Sequence, residues 1–146
     1  MRSMVRVAVA RRVGVSCSDR VMVRAVRAAA RAAGVRGDDD IEISVALVGR
    51  KRIHELNRTY HHEDRVTDVL AFGLHATPGQ NRAGELVVCP AYIRAYAKRA
   101  HESLRRSLAR VLVHGTLHLL GHDHARPKDA ERMFALQERI MRAVGE

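Results

Sequence analysis

Tryptophan is absent from the sequence, and three Tyr with two Phe are the only aromatic residues among 146 positions. Stacking of bases on aromatic platforms therefore does not dominate any binding surface of this chain. Cysteine occurs twice, at Cys17 and Cys89, far apart and in no metal-ligand spacing. That excludes a disulfide-stapled scaffold and reads as two small buried hydrophobes in a reducing compartment. Hydrophobic runs are short, and none reaches the roughly 18 apolar residues of a membrane span. The opening MRSMVRVAVA ends like a signal peptide, but Arg6 interrupts it and Arg11 and Arg12 follow at once. A signal sequence needs about 7–15 apolar residues in a row, so the reading is rejected. A cytoplasmic protein with no membrane association is the expectation. Lysine is scarce too: only Lys51, Lys98 and Lys128.

What is present is arginine, and with it a net charge of +10. An excess of that size favours polyanions, either nucleic acid or an anionic membrane surface. The composition is 47% hydrophobic and 29% charged, which suits a folded chain. Its length fits one domain, 1–146, able to bury roughly 68–70% of its unfolded surface.

Periodicity orders the elements. Residues 4–10 alternate and are β-branched, as a strand requires. Ser18 caps a helix running to about Ala33, with Gly34 at its end. Arg20, Arg24, Arg27 and Arg31 stripe one face of that helix, and a solvated face is the reading they are given. Residues 41–48 alternate around Ile41, Ile43, Val45 and Leu47, a second strand. A short helix over 50–58 follows, then strands over 65–72 and 85–89 separated by a loop that carries Pro78-Gly79. Pro90 opens helical patterning that runs to about Leu120, broken near 101–103. A last helix runs from Pro127 to near Gly145. The order β-α-β-α-β-β-α-α-α predicts an α/β (α+β) fold: about four strands in a mixed sheet, packed with about five helices.

Four of the nine histidines fall in the stretch HGTLHLLGHDH, residues 114–124. His114 and His118 are four apart on a helix of 3.6 residues per turn, so both rings leave one face, one turn apart. Gly121 takes the left-handed cap that ends the helix, and the returning chain brings His124 round. The pattern H-x-x-x-H-x-x-G-x-x-H has the His spacing of metzincin proteases. Three imidazoles with an open fourth position make a catalytic zinc site, though three imidazoles also suit nickel, copper or iron. His122 falls outside the set. Asp123 either orients a ligand imidazole or shapes the turn.

Zinc proteases place a Glu directly after the first His, as general base. Here that position is Gly115. The metal cage matches a protease and the base does not. RNA offers another route, because its 2′-OH can be the nucleophile while metal and Arg stabilise the developing charge.

The histidine block is similar to the signature of the YbeY family of bacterial endoribonucleases, also called ribosomal RNA maturation factors. LNRTYHHEDRVTDVLAF (56–72) resembles that family's L-N-x-x-Y-R-x-x-D-x-P-T-D-V-L-S-F, and GELVVC (84–89) resembles its G-D-I-V-I strand. The resemblance spans roughly residues 41–125. It implies one zinc ion on His114, His118 and His124. It also implies single-strand-specific cleavage in maturation of small-subunit ribosomal RNA and in ribosome quality control, with the small ribosomal subunit as partner. Four positions depart: His61 stands for the family's Arg, Val66 for Pro, Ala71 for Ser and Glu85 for Asp. The first matters most, because that Arg is taken to face the metal cleft and contact phosphate. Histidine is a poorer anion clamp than arginine at neutral pH. Asp123 and His61 are thus the catalytic candidates, and Arg58 and Arg65 the candidate phosphate contacts. A peptide hydrolase and a non-catalytic assembly factor with a structural metal are the competing readings. The missing Glu and the positive charge oppose the first. A structural zinc would need a fourth protein ligand, which no nearby Cys supplies.

Overall fold

The structure, a computed structural model, describes residues 4–35, 40–73, 82–122 and 126–144. Within them lie nine elements: β1 (Met4–Arg11), α1 (Asp19–Ala32), β2 (Asp40–Leu47), α2 (Arg50–His61), β3 (Val69–Gly73), β4 (Arg82–Val88), α3 (Pro90–Arg99), α4 (Leu104–Leu119) and α5 (Pro127–Val144). The strands form one sheet in the order β1-β2-β4-β3. β1 runs parallel to β2 and β2 to β4, while β3 is an antiparallel edge strand on β4. This is the α+β fold with a four-stranded mixed sheet and five helices that the element order predicts.

Alternation decides which helix lies on which face. Ile41, Ile43, Val45 and Leu47 of β2, with Leu86 and Val88 of β4, share a large buried cluster with residues of α1, α4 and α5. Each fully buried Val, Leu or Ile there stabilises the fold by about 1.5–3 kcal/mol. The opposite face carries a small cluster of Leu70, Val87, Cys89 and Ile53 beneath α2. The sequence pattern of α1 has the same logic: Met22, Ala25, Val26, Ala29 and Ala30 are buried, and the four striped arginines are exposed. Ser18 accepts a hydrogen bond from the Val21 amide at its start, and Ser103 does the same for Arg106 in α4.

Three expectations need correction. The segment 65–68 is not strand; β3 begins at Val69. Side chains hold the segment instead: the Asn57 amide donates to the Arg65 carbonyl at 2.9 Å, and the Asp68 carboxylate accepts the Val69 amide at 2.7 Å. Helix α2 continues to His61, past the expected 58, and ends on His62 in the left-handed region. Cys89 is buried as expected, but Cys17 is only half-buried. Among the described residues, no helix is long and apolar enough to cross a membrane.

Candidate active site

α4 carries the first two histidines of the motif. Their ring centroids lie 4.8 Å apart at 77°, edge to face, so both rings leave one face of the helix one turn apart as the spacing predicts. The Nδ1–H of His114 donates to the amide oxygen of Gln137 on α5 at 2.9 Å. An amide oxygen only accepts, so in the neutral ring the lone pair sits on Nε2. That is the tautomer a metal requires, with its outward nitrogen fixed by a hydrogen bond behind it.

The helix ends as expected. Gly121 has φ +94°, and its N–H reaches the His118 carbonyl while the His122 N–H reaches that of Leu117. This is a Schellman motif, which only a residue tolerant of positive φ closes without strain. His122 is half-buried. Asp123 and His124 lie outside the described residues, and among the described residues no group of three or more His, Cys, Asp or Glu is assembled.

Gly115 has a packing cause. A Cβ at this position would sit 2.9 Å from Leu86 Cδ2 and 3.2 Å from Val69 Cγ2. The helix lies close on β3 and β4 here, and a side chain at this position would press on Leu86 and Val69 and require them to shift.

His114 and His118 line one cleft of about 430 Å³ together with His61, Asn57, Thr67 and Asp68. His61 comes from the end of α2, its ring 5.9 Å from that of Phe72. Asp68 lies just before β3. One of its oxygens accepts from the Val69 amide and the Thr67 hydroxyl, leaving the other for a ligand. Arg58 and Arg65 are not among the cleft's lining residues. Arg58 is exposed, and the Arg65 guanidinium is held by Glu63 at 2.6 Å.

One turn before His114, Arg110 joins α4 to α5. It donates to both oxygens of Glu138 at 2.8 and 2.6 Å and to Glu102 at 2.8 Å. Burial pushes the Glu102 carboxyl up, but hydrogen bonds from Arg110 and Ser107 outweigh it and hold the group below its ordinary value. Burial likewise opposes the charged form of Arg110, and its two carboxylate partners more than offset that. Because Glu138 adjoins Gln137 in sequence, this clamp also sets the register of the His114 partner.

A profile of the family described as Endoribonuclease YbeY matches residues 12–145. The chain belongs to the YbeY family. It is therefore a member of a family of endoribonucleases, enzymes that cut RNA internally. An Endoribonuclease YbeY of Brevibacillus brevis is 36% identical over 86% of this chain and 86% of its own length. One from Lacticaseibacillus casei is 37% identical over 73% of this chain and 76% of its own. One from Myxococcus xanthus is 43% identical over 69% of this chain, a match that spans only 36% of that protein. The solution structure of a Thermotoga maritima protein superposes with a TM-score of 0.62 at 27% identity, covering 97% of this chain and 89% of that one.

Sequence reasoning missed Gln137, which holds the His114 ring, and Asp68, which shares a cleft with it. Gln137 had a signal: it is a polar residue on the apolar face of α5 that otherwise reads Met133, Ile140, Met141, Val144. Asp68 stands inside the 56–72 motif, where reading 65–72 as strand concealed its role at a strand entrance.

Proposed function

We propose that this YbeY chain is a zinc-dependent, single-strand-specific endoribonuclease. It acts in the cytoplasm in maturation of small-subunit ribosomal RNA and in ribosome quality control, with the small ribosomal subunit as partner. The observation that supports this most is the cleft itself: an imidazole pair, one ring fixed by Gln137, shares it with Asp68 and His61. The donor set fits zinc, with His114 and His118 as two ligands and His124 as the third. When bound, the ion supplies Lewis acidity at the scissile phosphate.

The protein's own residues do the rest. Gln137 fixes the His114 ring and its tautomer. Asp123, next to His124 in sequence, is the residue that would orient a ligand imidazole or shape the turn. Asp68 presents an anchored carboxylate that can take the proton of the attacking hydroxyl. His61 stands at the end of α2 and donates an N–H to a phosphate oxygen, the task of the family's arginine. Asn57 holds the loop between α2 and β3 that carries Thr67 and Asp68, on the side of the cleft facing α4. Peptide hydrolysis is disfavoured, because the position after the first His is Gly115 and the glutamate that zinc proteases use as base is absent there.

The test is metal content and RNA cleavage by protein purified without added metal. Stoichiometric zinc and cleavage of single-stranded RNA are expected. Replacing His114, His118 or His124 with Ala removes both. His61→Ala keeps the zinc and loses most of the cleavage. Full metal retained in all three histidine variants would sink the assignment.

A further inference from the structure

Two of the arginines that stripe α1 do more than face water. Arg20 and Arg24 meet Arg105 and Arg106 of α4 around one cavity of about 320 Å³. Ser18 and Ser103, the N-cap residues of the two helices, complete its polar wall, and Val21, Ala109 and Val144 supply the apolar part. No carboxylate is among these lining residues. Among the described residues, the acids that adjoin the two cap serines in sequence are engaged: Asp19 by Arg11 at 2.7 Å, and Glu102 by Arg110 and Ser107. Arg106 reaches Glu102 only at 3.5 Å. Arg20, Arg24 and Arg105 are exposed and make no ion pair among the described residues.

Gathering guanidinium groups around a concavity is unfavourable by itself, and an anion relieves it. Everything polar in this wall donates. The two serine oxygens are used as acceptors by the helix amides, so each hydroxyl hydrogen remains for a further acceptor. Both helices also direct their positive ends here. A phosphate, with several acceptor oxygens that match the arginine fork, is the complementary group.

We propose that this arginine cavity between the starts of α1 and α4 binds a backbone phosphate of the RNA, away from the point of cleavage. The proposal rests on the endoribonuclease reading above. Arg105 and His118 stand at opposite ends of α4, about 20 Å apart along its axis at 1.5 Å per residue. The reacting phosphate therefore cannot be the one bound here. The cavity anchors a strand several nucleotides from the cut, and so contributes to affinity for long RNA without touching the chemistry.

The experiment compares wild type with a combined Arg20→Gln, Arg24→Gln, Arg105→Gln variant. A charge-matched control carries Arg94→Gln, Arg99→Gln, Arg132→Gln, all exposed and outside the cavity. Circular dichroism and Tm confirm that each folds. Cleavage is followed on a long single strand and on an oligonucleotide too short to span the two sites. The cavity variant is expected to raise KM for the long strand about tenfold and leave kcat and the short substrate unchanged. Its salt slope for long RNA falls by about 0.7, the value for one lost phosphate contact on a single strand. Inorganic phosphate should raise the Tm of wild type and control but not of the cavity variant. If the cavity variant and the control coincide on long RNA while wild type cleaves both substrates, the anchor is overturned and the nuclease reading stands. If wild type neither binds nor cleaves RNA, the nuclease reading fails. A phosphate-dependent Tm that needs these arginines would then assign the cavity to a free phosphate and overturn the RNA anchor as well.

Discussion

A neutral imidazole has two nitrogens and one lone pair, so a histidine becomes a reliable metal ligand only when something decides which nitrogen keeps it. At His114 that decision is made by Gln137, whose amide oxygen takes the Nδ1 proton. Replacing Gln137 with Leu keeps a side chain of similar bulk in the α4–α5 contact and removes the acceptor. Metal affinity is then expected to fall about 10- to 100-fold, the usual cost of losing such a partner. Gln137→Glu restores an acceptor and should recover most of it. Competition with a chelator of known affinity reads the change. Equal affinity in wild type and Gln137→Leu would show that the ring is held by something else. Gly115 illustrates the same point from the opposite side. Its lack of a side chain raised a chemical question in the sequence, and the answer is steric, a helix resting on Leu86 and Val69.

Helices α4 and α5 are joined by a clamp of one arginine and two glutamates, and its pH response follows from its charges. Glu102 holds its proton less tightly in the folded protein than its ordinary value implies. Its contribution is therefore fully present above the unfolded-state carboxylate value, about 4.3, and is lost as pH falls through the lower folded-state value. Glu102→Gln removes an acceptor of charge-assisted bonds, with an expected loss of about 1.5–3 kcal/mol at neutral pH. The variant should also lose less stability than wild type on acidification. Thermal unfolding from neutral pH down to acid measures both, and parallel curves would show that Glu102 is not the group responsible. Elements also show what the sequence could disclose. The strands β1 and β2 were legible because their alternation is unbroken, and α4 because its ends carry Ser103 and Gly121. The segment 65–68 was not. Its residues suit a strand, but the Arg65 carbonyl is taken by the Asn57 side chain, and among the described residues only the Asp68 carbonyl of this segment, accepting from the Cys89 amide, reaches the neighbouring stretch of chain. The shared face of His114 and His118 was legible from spacing, whereas Asp68 and Gln137 come to these rings from other elements that only the fold brings near.

Across the whole molecule, charge and chemistry are separable. The net charge of +10 comes mostly from arginines, while the histidine pair of the proposed site lies in one cleft, both imidazoles half-buried. On the nuclease reading, attraction to RNA draws on arginines outside the cleft, the α1–α4 cavity among them, because each phosphate that meets an arginine releases counterions. Cleavage depends on the cleft. A His118→Ala variant should therefore bind single-stranded RNA as wild type does, within about twofold, and with the same salt dependence, log K falling by about 0.7 per phosphate contact for each tenfold rise in salt. The same variant should show no cleavage above background. Binding isotherms at several salt concentrations, measured beside cleavage rates, test the separation. Affinity that drops together with activity in His118→Ala would mean that the metal site holds the RNA as well as cutting it. Affinity that is insensitive to salt in wild type would mean that the positive surface has no polyanion to meet.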